Sequence, residues 1–154
     1  MIEVRQAGPE DLEILVPLFE AYRQFYGASP DVEGARSFLR DRLTLGDSTL
    51  LLAREGGRAI GFVQLYPLFS SVMMQPVLIL NDLFVAPEAR RHGTGGKLIE
   101  AAERFASQSG VTRMRLSTQE TNVPAQSLYE RLGWEADREF RSYNRTLGVM
   151  EGTI

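Results

Sequence analysis

Apolar residues change their spacing several times along the chain, and each change marks an element. Ile2 to Arg5 alternates apolar and polar positions, the period of a strand with one covered face. Gly8-Pro9-Glu10-Asp11 then opens a helix, with proline in its first turn and acidic residues beside its positive end. Leu12, Leu15, Val16, Phe19, Tyr22 and Tyr26 recur at helical spacing as a buried stripe. The stretch from Gly27 to Pro30 breaks that helix, and Phe38, Leu39 and Leu43 suggest a second. Leu50 to Arg54 and Ala59 to Tyr66 flank Glu55-Gly56-Gly57-Arg58, the pattern of a hairpin. Val77 to Val85 is almost continuously apolar, as a central strand covered on both faces requires, and Pro87 ends it. Leu98, Ala102, Phe105 and Ala106 mark a third helix from Thr94 to near Gly110. Met114 to Ser117 reads as a strand. Asn122 starts a fourth helix with Ala125, Leu128, Tyr129 and Leu132 on one face, and Gly133 stops it so that Trp134 can pack back. Two short strands, Glu135 to Arg138 and Ser142 to Leu147, are expected to close the domain.

This order predicts a mixed α/β (α+β) fold, with an antiparallel front half and a strand–helix–strand unit behind. About four helices flank a twisted, mostly antiparallel sheet of about six to seven strands. At 154 residues, with no repeat, low-complexity tract or linker, the chain is expected to form one domain over 1–154.

Composition narrows the chemistry. With no cysteine there is no thiol nucleophile, thiolate metal site or disulfide framework. His92 is the single histidine, so a His-based triad or multi-histidine metal centre is hard to build, and no metal is expected. A formal charge of −3 argues against a general nucleic-acid binder and mildly favours a cationic ligand. No stretch approaches the ~20 apolar residues that cross a bilayer. Met1-Ile2-Glu3-Val4-Arg5 lacks the layout of a secretory leader, so a cytoplasmic location is the expectation.

Between the central strand and the third helix lies Val85-Ala86-Pro87-Glu88-Ala89-Arg90-Arg91-His92-Gly93-Thr94-Gly95-Gly96-Lys97-Leu98. A helix start carries unpartnered N–H groups and partial positive charge, which suits an anion. Gly93, Gly95 and Gly96 remove side chains that would keep a diphosphate away, and Arg90 and Arg91 add cations. The spacing is neither that of a Walker loop nor that of a dinucleotide fingerprint. A plain surface turn is the competing reading of these residues taken alone.

Leu80-Asn81-Asp82-Leu83-Phe84-Val85-Ala86-Pro87, followed by Arg90-x-x-Gly93-x-Gly95, resembles the acetyl-CoA signature of the GNAT superfamily, the Gcn5-related N-acetyltransferases. A second signature, Asn122, Ala125, Leu128-Tyr129 and Gly133-Trp134, follows at the family's distance, and the element order resembles the GNAT fold over nearly the whole chain. The resemblance implies an N-acetyltransferase that uses acetyl-CoA as co-substrate. Backbone N–H groups of Arg91, His92, Gly93, Thr94, Gly95 and Gly96 would hold the diphosphate, with Arg90 as the family's loop arginine. Leu83, Phe84 and Val85 would pair with the pantetheine arm. That pairing requires the strand to splay from Met114–Ser117, and a bulge near Leu83 or Phe84 is the expected device. Asn122 would cap the fourth helix and bond the same arm, beside Ala125. Tyr129, seven positions after Asn122 and four after Ala125, shares their helix face. By resemblance its hydroxyl protonates the departing thiolate, although periodicity alone also permits a core tyrosine beside Leu128 and Leu132.

Acyl transfer needs a neutral amine. Removing a proton of pKa ~10.4 at pH 7 costs roughly 4 to 5 kcal/mol, so a base or a water chain should be present. Asp82, a carboxylate inside an apolar strand, is the leading candidate for that base, and a structural aspartate is the alternative. Some polyamine-type members carry Glu one position earlier, where this chain has Asn81. Glu120 is a weaker candidate. Tyr22, Phe25, Tyr26, Tyr66 and Tyr143 could line an amine pocket or serve as core. The acceptor expected is a small-molecule amine such as a polyamine or amino acid. A protein lysine or N-terminus is one alternative and a non-catalytic acyl-CoA sensor another. The related histone, polyamine and D-amino-acid acetyltransferases often dimerise, which makes a homodimer possible.

Overall fold

The computed structural model describes residues 1–148, which fall into two compact units, Met1–Gln119 and a second beginning at Glu120. In the first unit, β1 (Ile2–Gln6) leads through a short 3-10 turn at Pro9–Asp11 into α1 (Leu12–Phe25) and α2 (Val32–Leu45). Asp31 caps α2 by accepting the Gly34 N–H, and Gly46 closes it at φ 64°, a conformation that costs glycine little. Then follow β2 (Thr49–Glu55), β3 (Arg58–Ser70), β4 (Gln75–Val85), α3 (Thr94–Gln108) and β5 (Met114–Leu116).

The five strands form one sheet in chain order. Neighbours β1 to β4 run antiparallel, and β5 joins β4 in parallel through the α3 crossover. One face carries Leu50, Leu52, Phe62 and Phe84 and packs on Leu15, Val16 and Phe19 of α1 and Leu39 of α2. The opposite face, with Leu51, Val63, Leu65 and Leu80, is covered by α3 through Leu98, Ile99 and Ala102. Gly61 makes the α3 packing possible: a Cβ there would sit 2.7 Å from the Phe84 carbonyl oxygen and 3.2 Å from Leu98 Cδ1. The β3–β4 hairpin runs well beyond its neighbours, to Ser70 and Gln75, with Pro67 and Pro76 inside it.

The second unit holds α4 (Val123–Arg131), ended at Gly133 with φ 96°. The Trp134 N–H donates to the Tyr129 carbonyl, and the two rings lie 6.3 Å apart, so the tryptophan does fold back over its helix. The two strands expected at Glu135–Arg138 and Ser142–Leu147 do not form; residues 135–148 carry no regular structure. Phe140, Tyr143 and Leu147 are exposed, and their three- and four-residue spacing gives no alternating face for a sheet to bury. The described sheet thus has five strands rather than six or seven. Among the described residues no helix is long and apolar enough to cross a membrane.

Candidate active site

The site begins with an irregularity in β4. Register with β3 runs Ser70↔Gln75 through Leu65↔Leu80, then resumes at Gln64↔Asp82, which leaves Asn81 without a partner. This is a one-residue bulge, and it lies at Asn81 rather than near Leu83 or Phe84 as the sequence suggests. Its consequence follows from strand geometry. Residues two apart ordinarily share a face, but the extra residue puts Leu80 on the α3 face with Leu65, and Asp82 on the α1 face with Gln64. The parallel pairing with β5 also stops here: Leu78, Ile79 and Leu80 pair with Met114, Arg115 and Leu116, and nothing follows. From Asn81 to Val85 that edge of β4 has no strand partner among the described residues.

Asp82 is 5% exposed, and it is held by neutral donors. Gln64 Nε2 donates to Oδ2 at 2.7 Å and Asn81 Nδ2 to Oδ1 at 3.0 Å. Gln64, fully buried, in turn accepts from Ser48 Oγ at 2.8 Å. Tyr22 of α1 and Tyr66 of β3 complete the surroundings. Burial and then a hydrogen bond to Asp82 push the Tyr22 hydroxyl far above the usual phenol range. Burial, with the Asp82 charge as the next cause, pushes Tyr66 up to about 12. Among the described residues the other two buried carboxylates each have a cation: Asp11 takes two bonds from Arg5, at 2.8 and 2.7 Å, and Glu20 pairs with Arg23. Among the described residues Asp82 makes no salt bridge. A buried anion without a cation is costly unless something else meets its charge.

An aromatic cluster joins this carboxylate through Tyr22. Tyr22 lies edge-on to Phe62 and Phe84, with centroids 5.7 and 6.2 Å away, and meets Tyr26 at 5.1 Å. Phe25 contacts Tyr26 and Phe84. Tyr143 is 85% exposed in the second unit.

After Val85 the chain makes a short turn at Pro87–Ala89 and enters α3 behind Gly93, whose φ is 79°; Arg91 also has a positive φ of 67°. A Cβ at Gly93 or Gly96 would meet nothing within 4 Å, so both positions face open space. Thr94 is buried and anchors the loop by donating to the Ala89 carbonyl at 3.3 Å. Arg90 turns back on the strand end. Its Nε donates to the Val85 carbonyl at 2.9 Å, and its guanidinium lies 5.5 Å from the Phe25 and Phe84 rings. His92 and Arg91 are exposed. In the second unit Asn122 Oδ1 accepts the Ala125 N–H at 3.3 Å, so it caps α4 as expected. Tyr129 is partly buried beside Trp134, and the Glu120 side chain is exposed.

The chain matches the Acetyltransferase (GNAT) family over residues 15–134. It belongs to that family. An uncharacterized N-acetyltransferase, YhfO, of Bacillus subtilis strain 168 is 47% identical over 142 residues, covering 92% of this chain and 95% of that protein. The crystal structure of a probable acetyltransferase superposes with a TM-score of 0.90 at 41% identity, over 95% of this chain and 98% of that one. The structure of AAC(6')-Iy in complex with a bisubstrate analogue, CoA-S-monomethyl-acetylneamine, has a TM-score of 0.79 at 25% identity, over 96% and 99% of the two chains. This GNAT chain is therefore an N-acetyltransferase, and acetyl-CoA is the acyl donor of its family.

Within the first unit of this GNAT protein, Asp82, Leu83, Phe84, Val85 and the loop from Arg90 to Gly96 form one continuous stretch from the bulge to the start of α3. Sequence reasoning misses Gln64 and Ser48. The available signal is a glutamine inside the apolar run from Ala59 to Tyr66, where only a paired polar group can be buried.

Proposed function

We propose that the protein transfers acetyl from acetyl-CoA to the primary amine of a small cationic molecule, within a ternary complex. The observation that carries this reading is Asp82: a buried carboxylate ringed by tyrosines and held by neutral donors, while the other buried acids have arginines. An alkylammonium would supply the missing cation, and the Tyr22 and Tyr66 rings would receive it by cation–π attraction.

The unpaired edge of β4 from Asn81 to Val85 fits the extended, amide-bearing arm of CoA as an added strand. The open positions at Gly93 and Gly96, ahead of α3, fit its diphosphate. Acetyl-CoA is the acyl donor. The bound ammonium gives one proton to Asp82 and through it to solvent. Its nitrogen then attacks the thioester carbon, and a backbone N–H on the free β4 edge stabilises the oxyanion. The C–S bond breaks as the intermediate collapses, and the thiolate takes a proton from the Tyr129 hydroxyl. The nitrogen's second proton passes by way of solvent to Tyr129 and restores it, so the amide, the free thiol and the one proton first given to Asp82 leave. The role of Tyr129 is supported by its place in the Asn122–Tyr129 signature. With no cysteine the acetyl group has no thiol to rest on, which favours direct transfer.

The test is a thiol-release assay with acetyl-CoA over diamines, free L- and D-amino acids, aminoglycosides and lysine-bearing peptides at matched concentrations. The reading expects a free cationic amine to give the highest kcat/KM. Preference for an internal peptide lysine over every free amine would overturn it.

A further inference from the structure

Resting on the reading of Asp82 as the proton acceptor, we infer that Gln64 is a positioning residue that sets the direction in which Asp82 presents its remaining lone pairs. The bulge at Asn81 is what brings these residues opposite one another, since a regular register would pair Gln64 with Asn81 and leave Asp82 on the α3 face. A carboxylate at the end of one rotatable bond from Cβ can turn about that bond, and the structure removes this freedom from both sides. Oδ2 is tied to Gln64 Nε2 at 2.7 Å and Oδ1 to Asn81 Nδ2 at 3.0 Å.

The amide of Gln64 is itself oriented from behind. Ser48 is a hydroxyl that can donate, and it meets Oε1 at 2.8 Å, so the NH2 end is left for the carboxylate, which can only accept when ionised. Ser48 stands just before β2 and Gln64 in the middle of β3, so the chain of contacts crosses three neighbouring positions of the sheet, each on a rigid strand or at its end. Gln64 is fully buried and Asp82 nearly so. Gln64 has no water to replace its partner, and loss of its amide leaves the carboxylate with one donor fewer to fix its direction. Gln64 touches neither the donor nor the acceptor in this reading. It acts through Asp82.

The consequence is a specific coupling. Replacing Gln64 by Leu keeps the volume of the side chain and removes both hydrogen bonds. Misplacement of a catalytic group by about 1 Å costs on the order of 10²-fold, and a loss of that size in kcat is expected for Gln64→Leu, with KM for acetyl-CoA unchanged. Gln64→Glu keeps the shape and, while the new carboxyl is protonated, can still donate to Asp82. It should recover part of the rate at low pH and lose it as the pH rises, a dependence absent from the wild type.

The experiment is a double-mutant cycle on kcat/KM for the best amine, with wild type, Gln64→Leu, Asp82→Asn and the double variant, and pH profiles for wild type and Gln64→Glu. Urea unfolding of each variant reports whether it is folded. The inference expects the double variant to be no slower than Asp82→Asn within about twofold. It is overturned if folded Gln64→Leu keeps the wild-type kcat while Asp82→Asn is impaired, because the glutamine then only fills the core. It is overturned equally if the two losses multiply, because Gln64 then acts independently of Asp82. If instead Asp82→Asn has the wild-type rate and pH profile, the proton-acceptor reading falls, and a slow Gln64→Leu would have to work by another route. Should Gln64→Leu fail to fold, Gln64→Glu decides: a wild-type pH profile in that folded variant contradicts the inference.

Discussion

Between Leu78 and Leu80, β4 has β3 on one edge and β5 on the other, and both leucines are buried. Between Asp82 and Val85 it keeps β3, loses β5, and carries a buried carboxyl group. One added residue, Asn81, separates the two. The first half illustrates how a strand is stabilised, by pairing on both edges and by burial. The second shows how a fold exposes backbone N–H and C=O groups without fraying: the strand stays anchored by β3 and by the Arg90 contact to Val85 while its other edge is left open for a ligand.

Deleting Asn81 attacks this contrast most severely. Without the extra residue Asp82 follows Leu80 directly and still faces Gln64, but it loses the Asn81 amide, and the irregularity at which β4 parts from β5 is removed, which disturbs the edge proposed for the CoA arm. Activity should fall by about 10⁴-fold, the upper end of what acid–base groups contribute, because the proton acceptor and the donor edge are disturbed together. A folded deletion variant with near-normal turnover would erase the distinction between the halves.

Crossed substitutions come next. Asp82→Asn should lower kcat by about 10² to 10⁴-fold and flatten the rise of rate with pH, at little cost in stability. Leu80→Ala, two residues away, should cost about 2 to 5 kcal/mol of unfolding free energy and leave kcat per folded molecule unchanged. Unfolding curves and steady-state rates on the same preparations check both. If Asp82→Asn loses stability and keeps the pH profile, Asp82 is structural and the second half of β4 resembles the first.

The contrast extends into the loop after β4. Val at Gly93 must adopt φ 79°, at a strain of about 1–3 kcal/mol, and would place methyl groups in the space proposed for the diphosphate. Calorimetry should show acetyl-CoA affinity weakened tenfold or more, about 1.4 kcal/mol or above, in a folded variant. Unchanged affinity would detach the loop from the donor site.

The smallest effect concerns the tyrosines around Asp82. Tyr66 ionises near 12 in the fold and near 10 when unfolded, so its contribution is complete below pH 10 and lost as the pH rises toward 12. Tyr66→Phe should therefore lose less stability than the wild type across that interval, measured by urea unfolding at fixed pH. Parallel losses would mean that neither burial nor the Asp82 charge raises the Tyr66 hydroxyl in the fold.

Much of the first half of this contrast is legible in the sequence, and much of the second is not. The apolar run from Val77 to Val85 announces a buried central strand, and the glycines after it announce a helix start open to an anion. A bulge is expected from the resemblance, but its place at Asn81 stays hidden, because a run covered on both faces has no alternation whose break would mark the extra residue. Pro67 and Pro76 resemble strand ends, yet they lie where β3 and β4 extend past β2, and a proline there removes no needed pairing. Tyr22 reads as one member of a core stripe. Its hydroxyl's tie to Asp82 depends on which face Asp82 occupies, and that is fixed only once the bulge is known. The closing strands are expected from isolated apolar residues, but the spacing of Phe140, Tyr143 and Leu147 is not that of a strand.

The measurement that bears most directly on the account is initial velocity of CoA thiol release with acetyl-CoA and the preferred amine both varied. The account predicts release that depends on the amine and double-reciprocal lines that intersect, as direct transfer in a ternary complex requires. Parallel lines, or acetyl-CoA binding without amine-dependent thiol release for any amine in the panel, would contradict it.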